Sequence, residues 1–134
     1  MPNRDSGVQP YLRSLMRMVL GLTFSSHGLQ KLFGFFGGLG GHGATAHQFT
    51  LFWVAGCLET AGGLLILIGL FTAPAAFILS GEMAVAYFMQ HFPHGFWPIR
   101  NGGELAVVYC FVFLYLAAAG PGPLSADRAI RGRS

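Results

Sequence analysis

Charge is scarce in this 134-residue chain: 10% of its residues are charged and only five are acidic. Soluble domains carry about 25% charged residues, so a water-exposed globule is the weaker reading. Cysteine is scarce too. Cys57 and Cys110 lie in separate apolar stretches without a CxxC spacing, which leaves a redox dithiol or a zinc site without motif support and reads as small packing residues. The glycine-rich stretch 34–43 lacks the Gly-Lys-Ser/Thr ending of a phosphate loop and follows an apolar helix, so it is expected to be a flexible or re-entrant loop. The net charge of +3 and pI near 9.2 come from arginines in the tails, not from a basic groove studded with aromatics, which argues against nucleic acid as a partner. No A-x-A cleavage site follows the first apolar stretch, so Arg13 and Arg17 are expected to flank a retained span.

Apolar sequence is what the chain has instead. It is 53% hydrophobic, with a mean hydropathy of +0.54, and has four segments near the ~20 residues a bilayer crossing needs. The expected fold is all-α, a single domain over residues 1–134 forming an integral membrane four-helix bundle. Its spans should cover about residues 15–36, 49–71, 74–92 and 103–119, with tails at 1–14 and 120–134. Pro74 suits a first helical turn, and Gly120-Pro121-Gly122-Pro123 is a strong stop. Arg4, Arg13 and Arg17 precede the first span, and Arg128, Arg131 and Arg133 follow the fourth. By the positive-inside rule both tails are cytoplasmic. The longer loops, one with His42 and His47 and the other with Phe96-Trp97-Pro98, then face out.

Against this background three of the five acidic residues, Glu59, Glu82 and Glu104, sit in apolar stretches together with His27, Lys31 and His91. An ionisable group in lipid costs at least a few kcal/mol and faces a bundle interior or a water-filled cavity. At ~1.5 Å per residue His27 lies about 12 Å below the outer end of its span and Lys31 about 6 Å below it. The spacing of four puts both on one face. Glu59 and Glu82 share the depth of His27, while His91, Arg100, Asn101 and Glu104 crowd the outer mouth. An outward-opening polar pocket follows, with Lys31 as the cation placed to meet one of the glutamates. Duller readings stand beside it: a snorkelling Lys31, an ordinary first-turn Glu104, a capping His91, and Glu59 and Glu82 as interhelical hydrogen-bonding groups. No metal site is expected. His27 and His91 differ in depth by roughly 10 Å, which argues against a haem held between them.

The segments His27-Gly28-Leu29-Gln30-Lys31-Leu32-Phe33-Gly34, Glu59-Thr60-Ala61-Gly62-Gly63 and His91-Phe92-Pro93-His94-Gly95-Phe96-Trp97-Pro98 occur in that order, followed by Asn101-Gly102-Gly103-Glu104. In these blocks the chain resembles the DoxX family of small bacterial four-span membrane proteins. The resemblance implies a membrane subunit of a quinone-linked or thiol-redox oxidoreductase complex. His27, Lys31, Glu59, Glu82, His91 and Glu104 would then be the candidates for quinone or substrate binding and proton relay. No catalytic residue carries over from the family, and no cofactor motif occurs in the chain, so electrons would come from a partner protein or from quinone. The expected partners are the lipid bilayer and other membrane or redox proteins, or further copies of this chain. Two alternatives remain: a structural or assembly subunit of a larger membrane complex, and a proton or small-solute transporter acting as an oligomer.

Overall fold

Proline and glycine punctuate the helices as their backbone limits require. The structure, a computed structural model, describes residues 7–39 and 43–131, so Arg4, Asp5, His42 and Arg133 lie outside the described residues. Helix α1 spans Gln9–Phe33 with Pro10 in its first turn, where a missing N–H costs nothing. It ends at Gly34, which takes the left-handed conformation at φ 74°. Helix α2, Leu51–Ile68, opens on Thr50, whose side chain accepts a hydrogen bond from the Trp53 N–H. It closes on Gly69 at φ 73°, where the Gly69 N–H donates to Ile66 and the Leu70 N–H to Leu65, the pairing of a Schellman motif.

Helix α3 covers Thr72–Ala86 and carries Pro74 in its first turn. It runs on into a π turn at Tyr87–His91 and a 3-10 turn at Phe92–His94. A short α4, Pro98–Asn101, precedes α5, Glu104–Ala119, and α6 covers Ala126–Arg131. The described residues are all-helical, with an isolated bridge between Leu39 and Ala44 and no strand. The tail expected beyond residue 120 thus holds a helix. The first helix begins at Gln9, ahead of the Leu15 start expected for the span.

The chain divides into two compact units, Met1–Thr72 with Pro121–Ser134, and Ala73–Gly120. In the first unit α1 and α2 run antiparallel along a glycine seam. A Cβ added at Gly28 would overlap the nitrogen and hydroxyl of Thr60 and lie 2.8 Å from the Gly56 carbonyl. One at Gly21 would lie 2.6 Å from the Leu67 Cα and 2.7 Å from the Gly63 carbonyl. Glycines seven residues apart on each helix therefore let the backbones touch, the close approach that small residues permit between membrane helices. In the second unit the Ser80 hydroxyl on α3 donates to the Cys110 carbonyl on α5 at 2.7 Å.

Polar groups are buried beside an apolar core, and many large apolar side chains are exposed. Buried side chains include Ser14, Arg17, Ser25, Glu59, Thr72, Ser80 and Asn101, whereas Phe77, Ile78, Val85, Phe88, Val108 and Phe111 are each more than half exposed. Two helical stretches are long and apolar enough to cross a membrane, Leu51–Ile68 and Thr72–His94. Only 22% and 33% of their 18-residue apolar windows are buried, whereas the core helix of a soluble protein is mostly buried. The α5 helix is apolar and shorter, at 16 residues.

Candidate functional site

The four-residue step on α1 sets His27 and Lys31 on one side of the helix, and the seam between Gly28 and Gly56 brings α2 to within side-chain reach. Lys31 Nζ donates to both oxygens of Glu59, at 2.6 and 2.7 Å. Glu59 is 1% exposed and the Lys31 side chain 17%, so the carboxylate is enclosed while the ammonium reaches the surface of its unit. Two buried ions recover their desolvation only when their geometry is good. Here one ammonium engages both oxygens. Thr60, the next residue on α2, turns back to the Gly56 carbonyl at 2.8 Å and leaves Glu59 to the lysine. His27 lies in the electrostatic field of both Glu59 and Lys31, and its ring centroid is 6.5 Å from that of Phe24. The result is a neutral ion pair with an imidazole beside it: a hydrogen-bond donor at the rim, an enclosed carboxylate and a titratable ring.

Glu82, His91 and Glu104 belong to the second unit. Glu82 is half-buried on α3. Glu104 is exposed and is the first residue of α5, where a carboxylate complements the helix dipole. His91 closes the π turn, with its Nδ1 3.2 Å from the Asn101 carbonyl. Asn101 is buried and threefold tied: its amide donates to the Gly95 carbonyl at 2.9 Å and the Tyr87 hydroxyl at 3.1 Å, and its oxygen accepts from the Gly103 N–H at 2.8 Å. The six candidates thus fall into a Lys31–Glu59 pair with His27 in one unit, and Glu82, a His91–Asn101 contact and Glu104 in the other. Cys57 and Cys110 are free thiols. Among the described residues no group of three or more His, Cys, Asp or Glu is placed to hold a metal ion.

The family model that matches this sequence is DoxX, over residues 12–92. The chain belongs to the DoxX family. A relative from Haemophilus influenzae, itself an uncharacterized protein, is 43% identical over 123 residues, which cover 89% of this chain and 90% of the relative. No solved structure matches. DoxX proteins are membrane proteins, in keeping with the large apolar side chains exposed on the helices, and the matched region takes in His27, Lys31, Glu59, Glu82 and His91.

One buried ion of this DoxX protein has no counterpart among the six candidates. Arg17, read from sequence as a flanking charge, is 1% exposed. Its Nε donates to the Ile66 carbonyl at 2.9 Å, and its terminal nitrogens reach Pro121 at 2.5 Å, Leu124 at 2.8 Å and Leu67 at 3.5 Å. The guanidinium therefore joins the last turn of α2, whose carbonyls have no helical partner, to the segment that follows residue 120. Ser14 adds two ties to that segment, donating to the Pro121 carbonyl and accepting from the Leu124 N–H. Asp127 completes the clasp by accepting from the N–H groups of Phe71 and Thr72 at the start of α3. The signal that could have found it is Arg17 lying four residues after Arg13 on an otherwise apolar helix, one turn too deep for a simple flank.

Proposed function

We propose that this DoxX protein is an integral membrane four-helix bundle of the bacterial cytoplasmic membrane, with both termini cytoplasmic, and that it serves as a membrane subunit of a quinone-linked or thiol-redox oxidoreductase complex. The observation that carries the reading is the enclosed Lys31–Glu59 pair with His27 in its field. In the proposed orientation it lies in the outer half of the membrane, where a quinone headgroup or a small oxidisable substrate enters. Lys31, which only donates, polarises a bound carbonyl. Glu59 and His27 hold or pass the proton that accompanies reduction or oxidation. The electrons travel between the quinone and a redox partner protein. Within the second unit, Glu82, His91 and Glu104 are the candidates for further proton or substrate contacts.

The test is Glu59→Gln in the intact complex. This change keeps the shape and a hydrogen-bond acceptor while removing the ionisable group, so the pH profile of quinone-linked activity should change while assembly is retained. An unchanged pH profile with a reduced yield of complex would replace this reading with an assembly role, a role the Arg17 and Asp127 ties favour. Loss of a solute flux in proteoliposomes, with no redox activity in either form, would replace it with transport. Impermeant thiol labelling of Thr45→Cys, in a background lacking Cys57 and Cys110, tests the orientation. Labelling from the outside is expected, and labelling only after the membrane is opened overturns it.

A further inference from the structure

We infer that His91 is a hydrogen-bond-accepting site for a flat, neutral aromatic ligand bearing a hydroxyl group, and that it favours the hydroquinone over the quinone form of such a ligand. The inference rests on the quinone-linked reading above and adds to it the tautomer and acceptor role of one of its candidate residues and a preferred redox state of the ligand.

Nδ1 of His91 is 3.2 Å from the backbone oxygen of Asn101. A carbonyl oxygen can only accept, so Nδ1 carries the proton. In the neutral ring Nε2 is then left with a bare lone pair. Nε2 has no hydrogen-bond partner among the described residues.

The surroundings fix the orientation of the ring. Asn101 is 8% exposed and is anchored by its bonds to Tyr87, Gly95 and Gly103, which fixes the carbonyl that orients the imidazole. The Tyr87 hydroxyl is itself spent on the Phe96 carbonyl at 3.0 Å and does not compete for the ligand. Gly103 meets the ring from the other side: a Cβ there would lie 2.7 Å from the His91 Cβ and 2.8 Å from the Tyr87 ring. The backbone that presents His91 is a π turn, Tyr87–His91, a wide turn that occurs preferentially at functional sites.

The ligand class follows from what surrounds the lone pair. Tyr87 lies 6.3 Å from His91 between ring centroids, Phe92 is 6.4 Å from Tyr87, and the series continues through Phe96 to Trp97 at 6.3 and 5.2 Å. Phe92, Phe96 and Trp97 are exposed. Such edge-rich aromatic surfaces take flat aromatic ligands, and an acceptor at their border selects a ligand with an O–H. A hydroquinone supplies that hydrogen. A quinone offers only acceptors, which would face the Nε2 lone pair unpaired. Lys31, a donor only, has the opposite preference.

The test uses the full chain, labelled with 15N-histidine in lipid nanodiscs at neutral pH. His91, assigned by its loss in His91→Gln, should show the nitrogen shifts of the Nδ1–H tautomer. Trimethylhydroquinone should shift Nε2 and bind roughly three- to tenfold more tightly than trimethylbenzoquinone, the span of one net hydrogen bond. The preference should disappear in His91→Leu and survive in part in His91→Gln, whose side-chain oxygen also accepts. Gly103→Ala should displace the ring and weaken the hydroquinone. A resting Nε2–H tautomer, equal affinity for the two probes, or a preference retained in His91→Leu would overturn the inference. If trimethylphenol and trimethylhydroquinone shift Nε2 while the intact complex shows no quinone-linked turnover, the redox reading fails and the site stands. If turnover is found and the probes bind equally, the site fails and the redox reading stands.

Discussion

Removing the positive half of the Lys31–Glu59 pair should destabilise the protein far more than removing both halves. Lys31→Met keeps the length of the side chain and leaves the Glu59 carboxyl, 1% exposed, without the ammonium that meets both of its oxygens at 2.6 and 2.7 Å. Breaking one side of a buried pair costs about 3–5 kcal/mol, whereas exchanging both partners for apolar residues of similar volume is often near neutral. For a chain of this size, 3 to 5 kcal/mol corresponds to a fall in melting temperature of about 10–20 °C. The double variant Lys31→Met/Glu59→Met should recover most of that loss, giving a coupling energy of about 2–3 kcal/mol in a double-mutant cycle. Cys57 and Cys110 are free and only partly exposed, so a thiol-reactive fluorophore in detergent reports unfolding through native residues. Since Glu59 is enclosed, the cost should change little between low and moderate salt. Additive losses, with the double variant as unstable as the sum of the singles, would refute the claim that the two charges depend on each other.

Other consequences are equally open to measurement. Gly28→Ala drives a methyl into the Thr60 backbone and should lower stability by about 1–3 kcal/mol. Gly81→Ala meets nothing within 4 Å and should be neutral or stabilise by about 0.5–1 kcal/mol; equal thermal shifts for the two would contradict the glycine seam. Arg17→Lys retains the charge but cannot bridge Ile66, Pro121 and Leu124 at once, so limited proteolysis should cut the segment after residue 120 sooner than in the parent protein. An unchanged cleavage rate speaks against the clasp. Burial alone pushes the Asp127 carboxyl up, but the Thr72 and Phe71 N–H groups, the Thr72 hydroxyl and nearby Arg131 outweigh it and hold the group below its ordinary range. Its folded pKa is depressed, so its contribution to stability is complete above the ordinary carboxylate pKa of about 3.9 and is lost as pH falls through the folded value. Melting curves of the parent and Asp127→Asn should therefore differ at neutral pH and converge in acid, and a gap that persists in strong acid would show that Asp127 acts otherwise.

What could be read from the sequence is what local chemistry decides. A carboxylate within an apolar run must find a partner, and a lysine one turn from a histidine at matching depth is a natural candidate, so the Lys31–Glu59 side of the site was visible in outline. The end at Gly120 was legible because helices stop where glycine takes conformations other residues resist, whereas α1 and α2 stop at Gly34 and Gly69, ahead of the ends expected at residues 36 and 71. The choice of Glu59 over Glu82 for Lys31 was not, because it depends on the register of α1 against α2. That register is set by Gly21 and Gly28, which look like any other glycines in a row of letters. Arg17 was misread for a related reason: its partners Pro121 and Leu124 are more than a hundred residues away along the chain, and nothing nearby announces them. The π turn at Tyr87–His91 was equally hidden, since its residues differ little from those of an ordinary apolar helix end.

The most direct measurement of the central claim is gentle detergent extraction from the native membrane, followed by identification of the proteins and lipids that remain bound. The parent protein should retain quinone and at least one redox protein, and Lys31→Met, examined below its melting temperature, should lose the quinone. A parent protein that emerges alone, with neither quinone nor a redox partner, contradicts that claim.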